Sequence, residues 1–295
     1  MPDTSCHSTR NLKTPTYISP FLGDASDQIL GSVRIIICLV FFVYTSWSDY
    51  KTREVSNNIW ILFAPLAFAL TFTELFLYKE TSTMLSYGIS FSLTTAFALI
   101  LFYSGGFGGA DAKALICLAL ALPFYPQNLF TPLSREISPI SQTFFPFTVF
   151  SNSVLLAAAT AIYMLFHNIF WHIKTGRKLF EEGYQNESLG RKILVLITGY
   201  KVSINKLKKK WHLYPLEDTE ENPEKGFKRK LVLIPKDEDR NTIVERLTKA
   251  VEAGKIQDTV WATPGLPMLI FITAGLIIAL FFGDIVWTCI RLLLR

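Results

Sequence analysis

Long apolar stretches, separated by short polar segments, dominate the first part of the chain and return near its end. Six such stretches occur, at residues 31–50, 59–78, 84–103, 112–126, 147–171 and 264–282. A helix needs about 20 residues to cross the hydrocarbon core of a bilayer, so the fourth stretch is short and the others are long enough. They are apolar all round rather than on one face, which is typical of membrane helices. The pattern predicts six transmembrane helices.

Composition supports a membrane protein. Half of the 295 residues are hydrophobic and 24 are Phe, more apolar surface than a soluble domain of this length usually carries. Two charged residues, Arg34 and Glu74, fall inside the first two stretches. We expect both at the membrane interface, where a long side chain extends its charge towards water.

A polar region, residues 172–262, separates the fifth and sixth predicted helices. It holds 19 of the 29 Lys and Arg residues together with 14 acidic residues, and therefore the whole net charge of +5. Runs rich in Ile, Leu and Val at 192–200 and 230–235 predict strands, and residues 241–253 have apolar positions at helical spacing. Residues 217–225 are interpreted as a charged loop. We expect a small α+β domain inserted between helices 5 and 6.

The remaining boundaries follow from this division. Residues 1–28 lack the basic start, apolar core and small-residue exit of a cleaved signal, and are predicted to be a disordered extracytoplasmic tail. Residues 29–171 hold helices 1–5, and residues 263–295 hold helix 6 and a C-terminal segment.

Short basic loops set the predicted orientation in the cell membrane. Lys51 and Arg53 lie between the first two helices and Lys113 follows the third, whereas the other two loops carry one basic residue each. Cytoplasmic loops are enriched in Lys and Arg. The polar region and the loops after helices 1 and 3 are therefore expected on the cytoplasmic side.

Two aspartates, Asp49 and Asp111, stand at the ends of these loops. A carboxylate at membrane depth costs roughly 2.5–3.5 kcal/mol on insertion scales, so such residues are by default candidates for function. Asp111 closes a glycine cluster at 105–111 that contains Gly108, Gly109 and Ala110. Taken alone, Asp111 could cap a helix and Asp49 could be the polar end of the first helix. Their predicted location on one side of the membrane favours a catalytic pair.

Paired carboxylates can hydrolyse a peptide bond without a metal. One deprotonates water while the other, protonated, polarises the carbonyl and later protonates the amine. Like charges a few ångströms apart cannot both ionise, so the pair shares one proton and titrates as a unit. Glycines beside Asp111 would let an extended substrate backbone approach closely.

Metal chemistry and nucleic-acid binding are not expected. The four cysteines are widely spaced and form neither a CxxC site nor a disulfide framework, so no cofactor is predicted. The basic run at 206–211 could bind anionic lipid head groups or nucleic acid, but a solvated basic face near the membrane is the preferred interpretation. Membrane lipid is therefore the expected surrounding partner.

The residues around both aspartates resemble those of archaeal preflagellin and prepilin peptidases, relatives of the bacterial type IV prepilin peptidases. Residues 108–111 fit the form glycine, any residue, hydrophobic residue, aspartate of the family motif. Residues 49–57 resemble the run D-x-x-x-R-x-I-P-N that contains the first aspartate, with Ser56 in place of proline. Residues 261–284 look like the last-helix region of the archaeal members.

The resemblance implies a membrane aspartic protease with Asp49 and Asp111 as catalytic residues. Its expected substrates are archaellin or pilin precursors, cut on the cytoplasmic side between a short basic leader and a hydrophobic segment. Bacterial relatives often also methylate the new N-terminus and carry a cysteine-containing domain for it. This chain has no such cluster, so a peptidase without methylation is expected.

Two other classes remain open. A presenilin-type or signal-peptide-peptidase-type protease would show Tyr-Asp and Pro-Ala-Leu runs, which the sequence lacks. A proton- or cation-coupled transporter, or a scaffold, would place aspartates deeper and line a polar path between helices. The aspartates here lie at helix ends, which disfavours transport.

Overall fold

The computed structural model describes residues 20–181, 183–185, 187–222, 226–232, 240–265 and 267–294. Its helices are α1 (Pro20–Thr52), α2 (Asn57–Tyr78), α3 (Thr81–Tyr103), α4 (Gly109–Ala121), α5 (Pro139–Thr143), α6 (Phe145–Thr175), α7 (Leu189–Thr198), α8 (Ile204–Lys209), α9 (Arg240–Glu252), α10 (Met268–Phe281) and α11 (Ile285–Leu293). Its strands are β1 (Tyr200–Ser203), β2 (Leu213–Pro215), β3 (Glu217–Asn222), β4 (Gly226–Leu231) and β5 (Thr259–Pro264).

Four helices are long and apolar enough to cross a membrane: α1, α2, α3 and α6. The pair α10 and α11, bent by 63° at the break between them, makes a fifth candidate span. The chain is therefore a multi-pass membrane protein with four or five membrane-capable helices among the described residues, against the six predicted.

The fourth predicted span is the short helix α4. Its 13 residues rise only about 20 Å, and the helix ends before Pro123, because the residue before a proline avoids the helical conformation. Leu115, Leu118 and Leu122 are fully buried. The apolar run from 112 to 126 thus reflects burial by neighbouring helices rather than a complete crossing of the bilayer.

α10 packs closely against α6 and α1. A side chain at Gly275 would meet Ser153 and would come within 2.7 Å of the backbone oxygen of Val149. On the α1 side, Ser46 Oγ donates to the backbone oxygen of Leu269 at 2.9 Å, and Thr273 Oγ1 donates to that of Phe42 at 3.1 Å. Small residues and buried hydroxyl bonds of this kind hold membrane helices together.

The structure corrects the prediction for Arg34 and Glu74. Both residues are buried, 7% and 8% exposed, and Arg34 Nη1 lies 2.8 Å from Glu74 Oε2. The pair borders a polar cavity of about 530 Å³ at the end of the bundle where Asp27 bonds Lys79. Each charge is thus compensated by a partner inside the protein, because burial of an unpaired charge is costly.

The N-terminal tail was expected to run to residue 28, but α1 already begins at Pro20. Residues 20–28 are therefore helical and extend the first membrane helix. The remainder of the predicted tail, residues 1–19, lies outside the described residues.

The region between α6 and α10 is a small α/β unit. β5 is the central strand of an antiparallel sheet of order β1-β5-β2, and β3 pairs with β4 in a separate hairpin. Helices α8 and α9 cover the sheet through Val202, Leu207, Leu247 and Val260. The predicted helix at 241–253 is present as α9.

Two predictions in this region are wrong. Residues 192–198, taken as strand, belong to helix α7, which starts where the Ser188 hydroxyl accepts a hydrogen bond from the N–H of Arg191. Residues 217–222, taken as a solvated loop, form strand β3. Glu217 is fully buried there, because Arg229 at 3.0 Å and the Tyr184 hydroxyl both donate to its carboxylate.

The α/β unit is attached directly to the end of α6. Asn168 Nδ2 donates to the backbone oxygens of Leu196 at 2.8 Å and Gly199 at 2.7 Å. These bonds occupy carbonyls at the end of α7, which have no partners inside their own helix. One unbroken helix therefore connects the membrane core with the α/β unit.

Candidate active site

Asp49 lies in the last turn of α1 and is half-buried. The backbone N–H of Leu269, in the first turn of α10, interacts with its carboxylate, and Arg53 supplies a nearby positive charge. The first N–H groups of a helix have no partner within that helix and carry partial positive charge. The start of α10 therefore lies beside the Asp49 carboxylate.

Asp111 occupies the third position of α4. Its carboxylate accepts a hydrogen bond from the N–H of Gly108, the residue that caps the helix, at 3.1 Å. The capping position considered as the alternative role of Asp111 therefore belongs to Gly108, and Asp111 bonds back to it. Like Asp49, Asp111 has a helix N-terminus beside it, which favours its ionised form.

A hydrogen bond joins the segments that follow the two aspartates. Lys113 Nζ donates to Asn57 Oδ1 at 2.6 Å, which joins the start of α4 to the start of α2. Asp49 lies close enough for its charge to raise the pKa of the Asp111 carboxyl group. Val55 and Ala110 pack against the same hydrophobic core. Both aspartates thus belong to one end of the helical bundle.

The glycine loop between α3 and α4 has two constrained positions. Gly105 has φ of +77°, which an L side chain rarely adopts. At Gly108, a Cβ atom would lie 3.1 Å from Asp111 Oδ2, closer than is usual for a Cβ contact. Gly109 has room for a Cβ, 3.6 Å from the Phe102 ring. A side chain at Gly108 would therefore press on the Asp111 carboxylate and shift it by a few tenths of an ångström.

The loop after Asp49 is fixed by Arg53. This residue has φ of +58°. Its backbone N–H donates to the backbone oxygen of Asp49 at 2.9 Å, which closes the end of α1. Its Nη1 atom donates to the backbone oxygen of Gly265 at 2.6 Å. The N–H of Gly265 in turn donates to the backbone oxygen of His212 at 3.0 Å. Arg53 therefore joins the segment of Asp49 to the connection between β5 and α10.

Ser56 replaces the proline of the family pattern without disrupting this loop. It is the cap residue of α2, and its hydroxyl accepts a hydrogen bond from the N–H of Asn58 at 3.4 Å. Serine is a preferred helix cap, so it starts α2 by a side-chain bond where proline would start it by its fixed φ.

Burial raises the pKa of the Asp111 carboxyl group to about 6. The hydrogen bond from Gly108 opposes this shift, and the charge of Asp49 adds to it. Asp111 precedes the buried part of α4 and lies outside the candidate spans. A raised pKa of this kind is common where a carboxyl group must hold a proton near neutral pH.

Metal ligands are not clustered in the part of the chain that the structure describes: no three His, Cys, Asp or Glu side chains there could hold one ion. The two features that sequence reasoning missed are the N–H of Leu269 and the bond from Arg53 to Gly265. Both join residues more than 200 positions apart, and no local pattern indicates them.

Comparisons with known proteins agree with this arrangement. A family model described as the type IV leader peptidase family matches residues 36–167, which include both aspartates. A second, described as the type II C-terminus of archaeal A24 peptidases, matches residues 191–285. Together they match more than half of the chain.

Similar proteins extend the match to most of the chain. The preflagellin peptidase of Methanococcus voltae is 27% identical over 254 residues, which is 85% of this chain and 96% of that protein. The preflagellin peptidase of Methanococcus maripaludis is 24% identical over 263 residues, 88% of this chain and 95% of that protein. On these matches and on its apolar helices, the chain belongs to the type IV leader peptidase family, as a multi-pass membrane protease.

Proposed function

We propose that this chain is an aspartic endopeptidase that removes a short basic leader from archaellin-like or type IV pilin-like precursors. Asp49 and Asp111 form its catalytic pair. The observation that supports this proposal most strongly is the position of both carboxylates, each beside a helix N-terminus, at one end of the bundle. The names of the similar proteins suggest the substrate class.

The two aspartates have different surroundings and therefore different roles. Asp49, with Arg53 and the N–H of Leu269 beside it, is the carboxylate that takes a proton from the attacking water. Asp111, the more desolvated, holds the proton that it first donates to the scissile carbonyl oxygen. The water oxygen adds to the carbonyl carbon. As the C–N bond breaks, Asp49 passes the proton that it took from water to the amide nitrogen, and Asp111 recovers its proton from a hydroxyl of the tetrahedral intermediate.

The active site faces the cytoplasm in this proposal. Lys51 lies in the last turn of α1, Arg53 follows that helix and Lys113 lies near the start of α4, so all three flank the loops beside the aspartates, and basic residues near short loops favour the cytoplasmic side. The exposed loop glycines Gly105, Gly106 and Gly108 leave the approach to Asp111 free of side chains. An extended leader can therefore lie against this loop.

Cleavage of a precursor in a defined membrane tests the proposal. The full-length chain in nanodiscs would be mixed with a precursor that has a Lys-rich leader and a hydrophobic segment, and the products would be weighed by mass spectrometry. We expect one cut before the hydrophobic segment and a free amino group, even with S-adenosylmethionine present. The Asp49→Asn/Asp111→Asn double variant should produce none.

Three outcomes would refute parts of this proposal. Products from the double variant would exclude the aspartates as the catalytic pair. A mass gain of one methyl group would show that the enzyme also methylates. Cleavage only in right-side-out vesicles, and not in inverted ones, would place the active site on the other side of the membrane.

The pH dependence should reflect the shared proton. The pKa of Asp111 is raised to about 6, so its proton is present below that pH and lost above it. We expect kcat/KM to fall about tenfold per pH unit on the alkaline side, with an apparent pKa near 6 for the pair. Cleavage rates at low precursor concentration between pH 4 and pH 9 would measure this.

His212 provides the control, because it lies near Arg53 and burial lowers its pKa below the ordinary value for histidine. A His212→Gln variant removes this second titrating group while leaving both carboxyl groups in place. The fall of kcat/KM at alkaline pH should keep the same apparent pKa in this variant. If the fall disappears with His212→Gln, the ionisation belongs to the histidine instead.

A further inference from the structure

The connection between α8 and β2 places a tryptophan among lysines on the surface of the α/β unit. This basic turn, residues 206–211, presents the exposed side chains of Lys206, Lys208, Lys209, Lys210 and Trp211. Trp211 is 53% exposed, whereas Trp261 in the same unit is fully buried. Among the residues that the structure describes, Lys208, Lys209 and Lys210 form no ion pair. Neither their charge nor the indole ring is thus used inside the protein.

The register of the sheet shows which end of the α/β unit carries the basic turn. β5 runs from Thr259 to Pro264 and leads directly to α10. Ser203, just before α8, pairs with Thr259 at the start of β5. Leu213, two residues after Trp211, pairs with Pro264 at its end. α8 therefore runs back towards α10, and the basic turn lies at the end of the sheet that adjoins the membrane helices.

Hydrogen bonds to the backbone fix the shape of this turn. Arg240, at the start of α9, donates from Nη2 to the backbone oxygens of Leu207 at 2.9 Å and Lys210 at 3.0 Å. On the other side, the N–H of Gly265 donates to the backbone oxygen of His212 at 3.0 Å. Because the backbone is already ordered, presenting the lysines on one surface costs little conformational entropy on binding.

The same bonds place the turn at the level of the membrane surface. Gly265 lies three residues before Met268, where α10 begins, and its carbonyl oxygen holds Arg53, just after the end of α1. α1 ends and α10 begins at this level, so it marks one boundary of the hydrocarbon core. Tryptophan is enriched at this boundary, and basic residues close to it are attracted by anionic head groups.

We propose that the basic turn docks onto anionic lipid head groups of the leaflet on the side of Asp49. The lysines contact the negatively charged groups, and the ring of Trp211 lies between head groups and hydrocarbon, since it has an apolar body and a polar N–H. Each lysine near such a surface adds about a fivefold preference for anionic lipid. Nucleic acid fits less well, because a strand would have to lie between the turn and head groups of its own charge.

The opposite end of the α/β unit provides a matched control. Lys249, near the end of α9, and Lys255, in the turn that follows, are also exposed. That turn ends at Asp258, whose backbone oxygen accepts a hydrogen bond from the N–H of Ile204 at the end of the sheet far from α10. Gln257 is an exposed position in the same turn. Removal of two lysines from either end changes the net charge equally.

Photocrosslinking in nanodiscs tests the contact with lipid. In the full-length chain, p-benzoylphenylalanine would replace Trp211 or, as control, Gln257, and adducts would be identified by mass spectrometry. From position 211 we expect lipid adducts, at least about fivefold more abundant in discs that contain anionic lipid than in purely zwitterionic discs. From position 257 we expect none above background. The absence of lipid adducts from position 211, or equal yields from both positions, would overturn the proposal.

Charge variants show whether the lysines cause this contact. Lys209→Gln/Lys210→Gln should reduce the yield of anionic-lipid adducts from position 211 about tenfold, and high salt should do the same. Lys249→Gln/Lys255→Gln should leave the yield unchanged. Equal yields in the two variants would reject the role of the turn. If added single-stranded RNA crosslinks to position 211 and displaces the lipid, the surface belongs to nucleic acid instead. Neither measurement requires cleavage, so the inference can fail while the proposed function stands.

Discussion

Replacement of Asp111 by Asn is expected to lower kcat/KM for a precursor by about a thousandfold, and Asp49→Asn by a similar factor. Asn has nearly the same shape as Asp but neither accepts a proton from water nor donates one as an acid. Because the proposed mechanism uses the two carboxyl groups as a unit, the double variant should be little worse than either single one. Quantitative cleavage assays by mass spectrometry would measure all three.

Folding can be separated from chemistry in these variants. In the Asp111→Asn variant, the amide oxygen of the new side chain still accepts the hydrogen bond that Gly108 donates, so α4 should begin as before and the melting temperature should change little. Asp27→Asn is the matched control, since Asp27 lies on the same helix as Asp49 and bonds Lys79 at the other end of the bundle. Activity above a tenth of the wild type in either catalytic variant would exclude the pair mechanism.

The second large effect is expected at Arg53. An Arg53→Gly variant should lose about 30- to 100-fold in kcat, although glycine suits the backbone there better. At φ of +58° a non-glycine residue is strained by about 1 kcal/mol, so relief of this strain should offset part of the stability lost with the bond to Gly265. The loss in kcat would come from that missing bond and from the missing charge beside Asp49.

Two further variants show whether Arg53 positions the active site. Arg53→Lys keeps the positive charge but lacks the planar fork, so it should recover only part of kcat, with KM close to that of the wild type. Arg135 is the control for backbone strain, because it also has φ of +58° but lies in an exposed loop away from both aspartates. If Arg53→Gly behaves like Arg135→Gly, with full activity, Arg53 has no positioning role.

The features of this molecule that the sequence predicts correctly are those that depend on short stretches of the chain. Apolar runs of about 20 residues locate α1, α2, α3 and α6, because every side of a membrane helix faces either lipid or another helix over the thickness of the hydrocarbon core. The glycine cluster before Asp111 and the basic loop after Asp49 mark the candidate site for the same local reason. The family resemblance, carried by residues 49–57 and 108–111, is confirmed by the family models.

Other features depend on contacts between distant residues. Arg34 was expected to extend to water, yet Glu74, 40 positions away, pairs with it inside the bundle. Glu217 was expected in a solvated loop, yet it is buried because Arg229 and Tyr184 compensate its charge. Hydropathy alone also cannot tell a helix buried by protein from one surrounded by lipid, which is why α4 was counted as a full span.

The continuity of α6 makes it a rigid connection between the membrane and the α/β unit. Phe150, near the start of α6, and Asn168, which holds α7 and β1, lie 18 positions apart on one helix, or about 27 Å. A tilt of about 5° at Phe150 would move Asn168 sideways by about 2 Å over that length. The same displacement reaches β1, its neighbour β5, and then the Gly265 carbonyl that holds Arg53. A change in the packing around Phe150 is thus mechanically connected to the loop of Asp49 by a route outside the bilayer.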